Sequence, residues 1–113
     1  MASLSLRRRS LEELEAARAA RARGQEGRAR VCARRAAGWA VADYLQRLSG
    51  QPPHASAYDL LRRLQARDEA PEGLRRAAAR LTARVTADFR LPHAQDPLED
   101  ARVIVEGLLS PRT

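Results

Sequence analysis

The 113-residue sequence holds two imidazoles, His54 and His93, and each lies in a proline-containing stretch that reads as loop. Each has an arginine upstream: Arg47 with six residues between it and His54, and Arg90 three positions before His93. A histidine that takes the proton of a 2′-hydroxyl, with a cation close enough to stabilise the charge developing at phosphorus, can cleave RNA without a metal. A loop histidine beside proline is more often an ordinary surface residue than a base.

Arg34 and Arg35 are better placed to bind than to react. Arg34 falls three residues after Val31 and four before Gly38, on the side of its helix that the apolar residues mark as the core side. An arginine there pairs, snorkels or lines a cleft. The expectation is an anion site at Arg34 and Arg35, with Arg90 and His93 facing a nucleotide- or RNA-binding cleft; the competing expectation is that Arg34 pairs with Asp43, Asp59 or Asp100.

Other chemistries find no support. Cys32 is the single cysteine, so no intrachain disulfide can form, and on the buried side of a helix it packs as a small hydrophobe. No His or Cys pair falls at i, i+3 or i+4, so no metal site is expected, and no cofactor. Glycine-rich phosphate loops and nucleophile elbows are absent, and Glu12, Glu13 and Glu15 read as complements to a helix dipole.

All 21 cations are arginine, against 14 acids, for a formal net charge of +7. Genome-wide composition or heat adaptation accounts for such a bias more simply than function does. The surplus still attracts polyanions, which makes nucleotide or RNA the first partner to consider. No apolar run is long enough to span a bilayer, and Ser10-Leu11-Glu12-Glu13 after the early arginines does not resemble a signal peptide. A reducing, cytoplasmic setting is expected.

These side chains must be positioned by helices, because nowhere do apolar and polar residues alternate for long. The first helix should run from about Ser3 or Ser10 to Arg23, with Ser10 and Glu13 as a capping box, Gly24 as its stop, and Leu4, Leu11, Leu14 and Ala17 as its apolar face. The second, about Arg28 to Leu48, should be central, with Val31, Gly38, Val41, Leu45 and Leu48 at helical spacing and Cys32, Ala36 and Trp39 widening the face. Ser56 should cap a third helix that buries Leu60, Leu61 and Leu64. A fourth should start at Pro71 and run through Leu81, Val85 and Phe89, and a fifth should open at Asp96-Pro97 and bury Leu98, Ala101, Ile104, Val105 and Leu108. The expected fold is one all-α domain, an antiparallel bundle of about five helices over residues 1–113, frayed at 1–9 and 110–113.

Three blocks of the chain resemble the HEPN superfamily of small helical bundles. Ala16-Ala17 through Gly24, continuing into Arg34 to Leu45, is similar to a first helix, a glycine turn and a helix of the type Q-A-A-E-x-A-L-K-A-x-L, with Gly38 where Glu is usual and Ala42 where Lys is usual. Ser56 to Leu64 resembles H-S-L-x-x-L-L-x-x-L, and Leu81 to Leu109 resembles a helix, a turn and a final helix with a Glu-Asp-Ala step at Glu99-Asp100-Ala101. The resemblance implies a homodimer and a minimal nucleotidyltransferase partner, as in toxin–antitoxin pairs. Catalytic members carry Arg and His four to six residues apart, usually with a polar residue after the Arg. Here Leu48 follows Arg47 and Pro52-Pro53 intervene, so the expectation is a non-catalytic binding or regulatory module. The alternatives are a metal-independent HEPN ribonuclease using Arg47 and His54, and a basic helical protein that binds nucleic acid nonspecifically.

Overall fold

In the computed structural model, residues 2–83 and 95–109 are described, with side chains from Ser5 onward. They form α1 (Ala2–Ala22), α2 (Glu26–Ser49), α3 (Ala57–Gln65), α4 (Glu72–Leu81) and α5 (Pro97–Leu109), and among them there is no strand. The radius of gyration is 13.5 Å, close to the roughly 13 Å of a compact chain of this length. α2 is central, packing on α1, α3 and α5, while α4 closes the far side against α3 and α5.

Most boundaries lie where local chemistry sets them. Gly24, at φ +76°, donates its N–H to the Arg21 carbonyl and turns the chain from α1 into α2. Gly50, at φ +83°, ends α2 with its N–H on the Gln46 carbonyl. The Ser56 hydroxyl accepts the Asp59 N–H at 3.1 Å, the expected N-cap of α3. Asp96 accepts the Leu98 N–H at 3.1 Å at the start of α5.

Two expectations are overturned and one holds only in part. Ser10 does not cap a helix, because α1 begins at Ala2; it lies in mid-helix, wholly buried, and donates to the Ala36 carbonyl of α2 at 2.7 Å. The expected apolar faces of α1 and α2 hold in part: Leu14, Ala17, Cys32, Ala36, Gly38 and Val41 are buried, while Leu11, Val31 and Leu48 are 44%, 45% and 55% exposed. Further alanines complete the buried faces, Ala20 from α1 and Ala29, Ala33, Ala37 and Ala40 from α2. Small side chains let two helix axes approach closely, and the contact then comes from backbone and methyl packing.

The fourth helix stops at Leu81 rather than running through Phe89. Thr82 turns its hydroxyl back to the Ala78 and Ala79 carbonyls and receives Gln65 Nε2 at 3.1 Å. Arg34 Nε of α2 then takes the Leu81 carbonyl at 3.2 Å, so side chains satisfy the helix end that another turn would have covered. Val85 and Phe89 lie outside the described residues.

The large core side chains are Leu61, Leu64, Val41, Ile104 and Val105, each contributing about 1.5–3 kcal/mol by burial. Gly38, Ala42 and Ala78, small residues able to bring helices together within or between chains, are buried inside this one.

Candidate functional site

Among the described residues Arg34 pairs with no carboxylate: its guanidinium serves the end of α4, as above, while Asp43 and Asp100 are held by other arginines. Arg80 grips buried Asp100 through Nε at 3.0 Å and Nη2 at 2.8 Å. Arg47 donates Nε to Asp43 at 2.9 Å and Nη2 to the Leu108 carbonyl at 2.6 Å, tying α2 to the end of α5. Arg7 donates to the neighbouring Leu109 carbonyl. Arg21 spans three elements, with Nε on Glu26 at 2.8 Å and its two terminal nitrogens on Asp96 at 2.7 and 2.9 Å. These bonds hold the Asp96 carboxyl below its ordinary range, with burial pulling the other way and the Leu98 N–H assisting.

Other arginines remain available. Arg8, Arg9, Arg23, Arg28, Arg35, Arg62 and Arg63 are exposed and form no ion pair among the described residues. One of them is held in a defined pose. The Arg9 guanidinium lies over the Trp39 ring, 4.9 Å from its centroid, although Glu13 follows one turn later on the same helix.

That pair forms one wall of a groove of about 540 Å³ between α1, α2 and the loop that follows α2. Pro52, Pro53 and His54 also line it, with Leu6 and Leu60, and among the described residues no carboxylate does. The loop reaches back because Gly50 reverses the chain, Ser49 and Gln51 bridge through the serine hydroxyl, and two prolines hold an extended path until Ser56 starts α3. On the other side of Arg9 a smaller hollow of about 390 Å³ is flanked by Glu12, Glu13 and Ala16. Burial, and next the nearby Glu13, push the Cys32 thiol up, so it stays a neutral packing group.

His54 is thus the sequence candidate that reaches this groove. Arg47 does not line it, and the structure does not bring the two together there. Arg35 is exposed on α2 away from the groove lining, and Arg90 and His93 lie outside the described residues. Arg9 and Trp39 were not anticipated as a pair; the signals that could have suggested it were the single tryptophan and the run Arg7-Arg8-Arg9 on the first helix. Among the described residues no three His, Cys, Asp or Glu side chains gather to hold a metal, and no helix is long and apolar enough to cross a membrane.

No family model matches the chain, and neither a curated protein nor a solved structure does.

Proposed function

We propose that this chain is a non-catalytic, HEPN-like helical module that binds RNA or a nucleotide. The observation that carries the reading is the Arg9 guanidinium over the Trp39 ring, 4.9 Å from its centroid, in a groove shared with His54 that no carboxylate lines among the described residues. A guanidinium stacked on a ring keeps its outer face and edge donors free, so a base can stack on the plane while a phosphate meets the N–H groups. The unpaired exposed arginines supply the longer-range attraction.

Trp39 is the only tryptophan, which makes its emission a direct reporter. Titration with a short single-stranded RNA is expected to quench it saturably, with affinity falling steeply as salt rises and falling further in Arg9→Ala. An unchanged emission together with no binding by anisotropy removes the proposal.

A second reading, the metal-independent ribonuclease, is favoured by one observation: His54 lines the same groove as a free guanidinium, that of Arg9 rather than Arg47. Cleavage of labelled RNA by the native protein, lost in His54→Ala, would replace the binding reading with this one. The homodimer and the nucleotidyltransferase partner are supported by the family resemblance alone, and the single free thiol fits a reducing, cytoplasmic setting.

A further inference from the structure

A second groove, of about 660 Å³, lies between the C-terminal turns of α2 and the outer face of α3, separated from the first by the shared Pro52-Pro53 ridge. Leu45, Leu48, Ala66 and the two prolines give it an aliphatic surface beside polar Ser49 and Gln51, and Arg63 and Arg67 add positive charge. We propose that this groove docks an acidic, amphipathic segment of a partner protein, an interaction separate from the RNA or nucleotide reading and not dependent on it.

Leu48 carries the apolar half of the argument. It is the most exposed of the large hydrophobic side chains, on a helix whose other large aliphatics near this end are at least partly covered. An exposed leucine in a concave aliphatic surface offers area that only an apolar partner can use.

Charge decides which partner. Among the described residues no carboxylate lines the groove and Arg63 has no ion pair, while Arg67 is held by Glu69 at 2.5 Å with Tyr44 beneath it at 6.0 Å. Guanidinium forks match carboxylates in pairs. A second copy of this chain carries a net charge of +7, which works against its docking on two arginines. A nucleic acid would find no aromatic ring lining the groove, and its phosphates gain nothing from an aliphatic surface. What fits is a peptide whose leucine, isoleucine or phenylalanine side chains meet the aliphatic surface while flanking Asp or Glu meet Arg63 and Arg67.

The test is a peptide-display selection on the full-length protein at physiological salt, followed by anisotropy with the dye-labelled selected peptide. The expected winners combine large aliphatic or aromatic residues with acids. Their affinity should fall at least tenfold in Leu48→Ser and several-fold in Arg63→Glu, two exposed positions where circular dichroism should confirm an unchanged fold. Selection of neutral or basic peptides, no selection at all, or peptides that bind Leu48→Ser as tightly as the native protein overturns the proposal. So does RNA binding that is itself lost in Leu48→Ser, which would make the groove part of a nucleic-acid surface.

Discussion

Gly38 of α2 faces Ala57 at the start of α3 so closely that a β-carbon added to it would lie 2.7 Å from the Ala57 Cβ and 2.9 Å from its Cα. The second neighbour is backbone, so no side-chain rotation relieves the clash, and α3 must move. The loop that carries His54 leads directly into that helix, which couples this contact to the shape of the groove.

Gly38→Ala should therefore destabilise the protein. Helix propensity favours alanine by about 1 kcal/mol, and overpacking opposes it by about 1–3 kcal/mol; with a backbone atom as the obstacle, the steric effect should win. Urea unfolding should show a lower midpoint, partly restored when Ala57→Gly is added.

Ser10 is buried with its hydroxyl on the Ala36 carbonyl, a bond that joins the two alanine faces. Ser10→Ala keeps the close approach and loses one neutral hydrogen bond, about 1 kcal/mol. Ser10→Val also adds volume where there is none to spare, at about 1–3 kcal/mol from overpacking. Chemical denaturation that ranks valine as stable as alanine would count against a tightly packed α1–α2 interface.

Acid should act through Asp96. Its carboxyl is held low by Arg21, so the group binds its proton less readily folded than unfolded. The sign follows: the contribution is fully present above the ordinary carboxylate value of 3.8 and is lost as pH falls through the lower folded value. Asp96→Asn should lower the melting temperature near neutral pH, with the difference from the native protein narrowing under acid. A difference that grows on acidification would contradict the pairing.

Arg80 neutralises Asp100, a carboxylate whose side chain is 5% exposed at the junction of α4 and α5. Arg80→Ala should destabilise by about 3–5 kcal/mol, since it leaves a buried charge without its partner. Replacing both, as Arg80→Met with Asp100→Leu, should recover much of that loss. Calorimetry on the single and double variants decides it.

Helices α3, α4 and α5 were legible because their large aliphatics stand out against charge: Leu60, Leu61 and Leu64, then Leu74 and Leu81, then Leu98, Ile104 and Leu108 are buried as their spacing requires. α1 and a central α2 were legible as helices, but not the whole of their buried faces, because alanine lies on several of them and periodicity cannot tell a buried alanine from an exposed one. Of the large residues that supplied contrast, Leu14 and Val41 marked buried positions while Leu11, Val31 and Leu48 did not. The candidate site was legible only at His54. Arg9 meets Trp39 across thirty residues of sequence, through a turn whose effect on helix register local patterning does not encode.

By itself, then, the amino-acid order determined that the described chain is helical and where several helices begin and end, because caps, prolines and left-handed glycines act within a few residues. Only the tertiary structure decided which alanine faces meet, which carbonyls Arg34, Arg47 and Arg7 satisfy, and which arginines stay free. The physical reason is that every cation here has the same side chain. Its role is set by what happens to lie within reach of a long, flexible guanidinium once the helices have packed.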